Sequence, residues 1–242
     1  MILAEEKIFF YHVPKTGGSA IEGHLFKQFG YKPHNFTTFT TGLVQIHFTN
    51  FYRKWTTQSL VHFPFLQLVE MASRSKINID NSWNLFTVVR NPYKRLSSAI
   101  FFQADLKCKH NTHTLRTLRE KQFLFNKAQD IFFSYNPHMN NWFAHRESQS
   151  TLLDYDDSYN VKVYKYEEGL DNIIKKHFKN TLPQPHLKLE RDNDHFQDDN
   201  IPRTPYDILW TYDFIKNINE NYEKDFERFG YKMLNPNDYP KF

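Results

Sequence analysis

Gly17 and Gly18 are the only adjacent glycines in a 242-residue chain that has 7 glycines in all. They fall between an unbroken run, Ile8-Phe9-Phe10-Tyr11-His12-Val13, and a segment in which Ile21, Leu25 and Phe29 recur at four-residue spacing. The first pattern predicts a strand buried on both faces of a parallel sheet, the second an amphipathic helix from Ser19 that ends at Gly30. Strand, glycine turn and helix in that order leave few arrangements open. In the connecting loop, Pro14-Lys15-Thr16-Gly17-Gly18-Ser19, the glycines let backbone N–H groups approach an anion, and the helix N-terminus adds a partial positive charge. Thr16 and Ser19 can add hydroxyl donors and Lys15 a full charge, so the loop fits a phosphate or a sulfate. It is not the Walker loop, in which the lysine follows the glycines; here Lys15 precedes them, which disfavours a nucleotide kinase.

A second unit of the same kind follows. Leu85-Phe86-Thr87-Val88-Val89 reads as a buried strand; after Arg90, Asn91 can cap and Pro92 open a helix through Leu96, Ala99 and Ile100. Arg90 then stands at the carboxyl end of a parallel strand, where open α/β sheets bind ligands, and Ser98 lies about two turns into the helix. A third strand is expected at Val161–Tyr166 and a long helix from Tyr206 to Phe229, closed by Gly230. Helices interleaved with apolar strands predict an α/β fold, a central parallel β-sheet flanked by helices, in a single domain over 1–242. Lys32–Trp55, Lys107–Arg119 and Asp192–Asn200 are less regular.

The segments His12-Val13-Pro14-Lys15-Thr16-Gly17-Gly18-Ser19-Ala20-Ile21 and Phe86-Thr87-Val88-Val89-Arg90-Asn91-Pro92-Tyr93-Lys94-Arg95-Leu96-Ser97-Ser98-Ala99 together resemble the two signature motifs of the sulfotransferases that use 3′-phosphoadenosine 5′-phosphosulfate (PAPS). The likeness is greatest to the carbohydrate, heparan- and chondroitin-type branch. Val163-Tyr164-Lys165-Tyr166-Glu167 and Tyr222–Tyr231 resemble later segments of the same family, so the likeness runs nearly end to end.

The resemblance implies a P-loop-NTPase-like sulfotransferase fold and a transferase that moves a sulfuryl group from PAPS to a hydroxyl of a carbohydrate or glycan-type acceptor, leaving 3′,5′-adenosine bisphosphate and needing no metal. It implies that Lys15, Thr16, Gly17, Gly18, Ser19 and Ala20 hold the 5′-phosphosulfate and that Arg90 and Ser98 hold the 3′-phosphate. Lys15 is the expected stabiliser of the leaving oxygen. The expected base is His62, in Leu60-Val61-His62-Phe63-Pro64-Phe65, with His47 the runner-up. His138 and Trp142 resemble acceptor-side residues, and Lys188 and Arg191 could close over the nucleotide phosphates. Cys108, His110 and His113 are expected in a basic exposed loop rather than around a metal.

Composition bounds the alternatives. With 31 Lys+Arg against 27 Asp+Glu, the excess of positive charge is small and spread along the chain, which speaks against a nucleic-acid binder and suits a small anionic ligand. One cysteine, Cys108, and a start, Met1 to Lys7, without the apolar run of a signal peptide point to a soluble, cytoplasmic, bacterial-type enzyme. No stretch approaches the ~18 apolar residues of a membrane span. Two other classes stay open: a P-loop-like ATP-dependent phosphotransferase, and a non-catalytic module that binds PAPS or nucleic acid.

Overall fold

The structure, a computed structural model, describes residues 1–30, 63–108, 118–134, 143–155, 157–179, 182 and 209–241. In chain order its elements are β1 (Ile2–Leu3), β2 (Ile8–Tyr11), α1 (Gly18–Gln28), α2 (Phe65–Arg74), β3 (Asn84–Val89), α3 (Pro92–Cys108), α4 (Leu118–Ser134), α5 (Phe143–Arg146), α6 (Gln149–Leu152), β4 (Lys162–Lys165), α7 (Leu170–Phe178), α8 (Tyr212–Asn221) and α9 (Glu223–Phe229). Short 3-10 turns stand at Tyr166–Glu168 and Pro236–Asp238. The chain divides into two compact units, one of Met1–Arg90 with Asn140–Asp192, the other of Asn91–Met139 with Asn193–Phe242.

The first unit carries the sheet, in the order β1-β2-β3-β4. β2 runs parallel to β3, Phe9 opposite Leu85 and Tyr11 opposite Thr87; β3 runs parallel to β4, Phe86 opposite Lys162 and Val89 opposite Lys165. The expected central parallel sheet is corrected to a mixed one by its edge, where β1 pairs antiparallel with β2, Ile2 opposite Phe9 and Leu3 opposite Ile8. Four residues separate β1 from β2, far fewer than the dozen or so that a parallel crossover needs, so β1 can only run antiparallel.

Every residue of β2 and all but the first of β3 are buried, which is why both read as apolar runs without alternation. Ile8, Phe10, Phe86 and Val88 point to one face and pack in a cluster with Ile21 and Leu25 of α1 and Ile173, Ile174 and Phe178 of α7. Phe9 and Tyr11 point to the other, where Phe9 stacks on Phe65 of α2 and Tyr11 meets it edge-on. Tyr155 and Tyr159 close on the same Phe65 ring. Helices therefore cover both faces of the sheet. At the edge, β4 exposes Lys162 and Val163 and buries Tyr164.

The second unit is helical. α3 starts as the sequence predicts: Asn91 Oδ1 accepts the N–H groups of Tyr93 (3.1 Å) and Lys94 (3.4 Å), and Pro92 occupies the first helical position. Tyr93, Leu96, Ile100, Phe125, Phe214 and Phe226 lie in one buried cluster from α3, α4, α8 and α9. The Trp210 indole donates to Ser97 Oγ (2.8 Å), and the Tyr93 hydroxyl bonds Asn219 and accepts from the Leu234 N–H.

The expected single helix through to Phe229 is two. α8 begins at its Thr211 cap, and Tyr222 leaves helical geometry at φ −127°, ψ 22°, while its ring stays buried in the core. α9 then ends at Gly230, left-handed at φ 60° as expected. Among the described residues, no helix is long and apolar enough to cross a membrane.

Candidate functional site

The carboxyl ends of three parallel strands meet in the first unit. β2 delivers the loop from His12 to Gly17, β3 delivers Arg90, and β4 delivers Tyr166. This is the crevice position expected for a ligand in an α/β sheet.

The loop is shaped by two left-handed residues, Lys15 at φ 68° and Gly17 at φ 82°. Gly17 pays nothing for that geometry, and a Cβ there would also lie 2.6 Å from Leu170 Cδ1 and 3.1 Å from Tyr166 Cε2. Gly18 is required by space rather than by φ, since a Cβ would fall 2.1 Å from His12 Cδ2 and 2.3 Å from its Nε2. That imidazole is held in turn by Glu22 of α1, Nδ1 to Oε2 at 3.2 Å. Lys15 is the costly one, a side-chain-bearing residue in the left-handed region, at about 1 to 2 kcal/mol.

Two contacts fix that bend. Thr16, fully buried, donates its hydroxyl to the Val13 carbonyl (2.8 Å), and the Arg90 guanidinium donates from Nη1 to the Lys15 carbonyl (3.1 Å). The Arg90 guanidinium also lies over the Tyr166 ring, 4.5 Å from its centre. Its backbone is clamped by the Gln149 side chain, which accepts from the Arg90 N–H (2.8 Å) and donates to the Arg90 carbonyl (2.9 Å).

Above this loop α1 starts with no side-chain cap hydrogen bond and no acidic residue in its first turn, so no side chain of that turn offsets the positive end of its dipole. Burial, and next the neighbouring Arg90 charge, pull the Lys15 ammonium down from 10.5 to about 8. Two cationic side chains thus stand close to one another beside the turn that opens α1.

The family model for the Sulfotransferase family matches residues 1–232. The chain belongs to the sulfotransferase family. Neither the curated proteins nor the solved structures gave a match. Its membership assigns sulfuryl transfer as the general reaction of this sulfotransferase.

Of the residues expected from the sequence, the structure brings together Lys15, Thr16, Gly17, Gly18, Ser19 and Ala20, at the turn into α1, with Arg90. Ser98 lies half-buried in α3, within the second unit. His47, His62, His110, His113, His138, Trp142, Lys188 and Arg191 lie outside the described residues. Cys108 closes α3. Among the described residues no group of three or more His, Cys, Asp or Glu could hold a metal ion.

Sequence reasoning missed the roles of Gln149, Tyr166 and His12 in this sulfotransferase. Tyr166 stands in a segment that resembles the family. Gln149 offered no signal, because its partners are backbone atoms 59 positions away.

Proposed function

We propose that this sulfotransferase transfers the sulfuryl group of PAPS to a hydroxyl of a carbohydrate or glycan-type acceptor, on a P-loop-like α/β scaffold. The observation that carries the reading is the pairing of Lys15 with Arg90 at the uncapped start of α1, reached from the ends of β2 and β3. A bound anion would oppose both influences that depress Lys15, by favouring its charged form. These residues fit the phosphosulfate group chemically. The resemblance adds Ser19 and Ala20 at the same turn and places the 3′-phosphate with Arg90 and Ser98. The single cysteine suits a reducing compartment.

When bound, PAPS supplies a sulfuryl group on a phosphate leaving group. The residues of the chain then have three tasks: to align donor and acceptor, to stabilise charge on the bridging oxygen, and to take the acceptor's proton. Lys15 would hold its ammonium toward that bridging oxygen, and the backbone of Thr16 to Ala20 with the Ser19 side chain would orient the group; the Thr16 hydroxyl, expected as a donor to the anion, instead donates to the Val13 carbonyl and holds the loop. His62 is assigned the proton, since a neutral imidazole accepts one from a hydroxyl at neutral pH. In support, Phe63, the next residue, has its carbonyl held by the Tyr11 hydroxyl (2.8 Å) at the end of β2, one of the strands that deliver the loop.

The test compares 3′,5′-adenosine bisphosphate with ATP and magnesium by thermal shift. At ~100 times its dissociation constant a ligand stabilises by about 2.7 kcal/mol, roughly 5 to 10 °C for a chain of this size. A shift with the bisphosphate alone, reduced in Lys15→Ala and Arg90→Ala by the weakening of about 1 kcal/mol or more that each should cause, supports the reading. A shift with ATP and magnesium instead replaces it with phosphoryl transfer. His62→Ala should keep nucleotide affinity and lose turnover about 10²-fold or more; full turnover returns His47 to consideration.

A further inference from the structure

β3 ends at Val89, the last residue paired with β4, so the backbone of Arg90 lies beyond the ladder. Both of its polar groups are nevertheless satisfied, and by a single side chain. Gln149 Oε1 accepts the Arg90 N–H at 2.8 Å and Gln149 Nε2 donates to the Arg90 carbonyl at 2.9 Å. A primary amide used at both ends imitates the peptide of one more neighbouring strand. The two bonds also fix which end of the amide is oxygen, since the reversed orientation would oppose donor to donor and acceptor to acceptor.

Gln149 is itself held. It is fully buried, and it opens α6 directly after Ser148, whose hydroxyl caps the helix by accepting the Thr151 N–H at 3.0 Å. A buried glutamine with no other task would be a costly way to fill space. Its position gives it one: it fixes the backbone of Arg90, whose guanidinium reaches the Lys15 carbonyl at 3.1 Å and the face of Tyr166 at 4.5 Å. The chain of contacts Gln149, Arg90, Lys15 thus ends on the left-handed residue that gives the loop its bend.

We propose that Gln149 is a positioning residue of the nucleotide site, holding Arg90 so that its guanidinium braces the Lys15 bend and faces the phosphates. The inference rests on the reading given under Proposed function and assigns to it a residue that touches no ligand.

The experiment is a double-mutant cycle read by calorimetric affinity for 3′,5′-adenosine bisphosphate. Gln149→Met, similar in length and unable to bond either backbone group, should weaken binding about tenfold, the scale of a lost orienting partner. In an Arg90→Ala background the same substitution should change affinity less than twofold, because the residue it positions is gone. Equal losses in both backgrounds, or none in either, would overturn the inference. If Gln149→Met does not fold, Gln149→Glu replaces it in the same cycle; it keeps an acceptor for the Arg90 N–H and should lose less in the presence of Arg90 and nothing in its absence. Failure of the unsubstituted chain to bind the bisphosphate overturns the functional reading and this inference with it. Binding by the unsubstituted chain with additive losses overturns this inference alone.

Discussion

Lys15 ionises at about 8 because its ammonium is desolvated and stands beside the Arg90 guanidinium, so its proton is held least firmly where an anion would hold it most. An anion that binds to the charged form should therefore bind more weakly as pH rises from about 8 toward 10.5, and its binding in that window should take up a proton. Calorimetry in buffers of different ionisation enthalpy measures that uptake; Lys15→Arg should show none, and a pH-independent affinity in the unsubstituted chain would refute the assignment. In the ligand-free protein the sign is opposite. The native state releases this proton before the unfolded chain does, so the contribution of Lys15 to stability improves over the same window and is lost as pH falls through 8. Gly18 yields a second prediction at this scale. Gly18→Ala should cost about 1 to 3 kcal/mol in urea unfolding, since its Cβ would drive the His12 ring off Glu22. His12→Ala should absorb most of that loss. The turn between β2 and α1 was legible in its residue types, but the reason for the second glycine was not, because the group it accommodates lies six positions earlier and meets it only once the turn is made.

At the scale of elements, the starts and stops of β2, α1, β3 and the opening of α3 were legible because short-range physics sets them: unbroken apolar runs, a left-handed glycine, an asparagine ahead of a proline. Asn91→Ala should destabilise by about 1 kcal/mol in thermal or urea unfolding, through the two first-turn N–H groups it leaves, whereas Asn91→Asp should be neutral. An equal cost for both would assign the effect to packing instead. The break between α8 and α9 was not legible. Apolar spacing continues across it, with Ile218, Tyr222 and Phe226 at four-residue intervals all in the core, although the Tyr222 backbone leaves the helix. β1 was missed for the related reason that two residues, Ile2 and Leu3, make no period of their own and take their structure from pairing with Phe9 and Ile8.

For the molecule, stability carries a titration that the site does not use. His177 of α7 is packed against Phe86, ring centres 4.1 Å apart, with its Nδ1 3.0 Å from the Tyr164 hydroxyl, and burial, with the Lys162 charge next, pulls its pKa from 6.5 to about 3. The native state keeps it neutral while the unfolded chain takes up a proton, so the stability it allows above pH 6.5 is lost progressively as pH falls toward 3. The drop in urea midpoint from pH 7 to pH 4 should be smaller in His177→Gln than in the unsubstituted chain; identical slopes would place the acid sensitivity elsewhere. At this scale the α/β class with helices on both faces was legible, but the crosslinks of the site were not, because they join stretches with no local signature in common. Lys15 and Arg90 are 75 residues apart in sequence, and Arg90 and Gln149 are 59 apart. That separation sets the order of events in folding. The contacts among Lys15, Arg90 and Gln149 need two long loops to be shut and β2, β3 and β4 to be in register, which puts them among the high-contact-order parts of the chain. Ligand binding in a refolding experiment should accordingly appear with the last, slowest phase, and a nascent chain still short of residue 149 carries both signature motifs without the amide that bonds the Arg90 backbone.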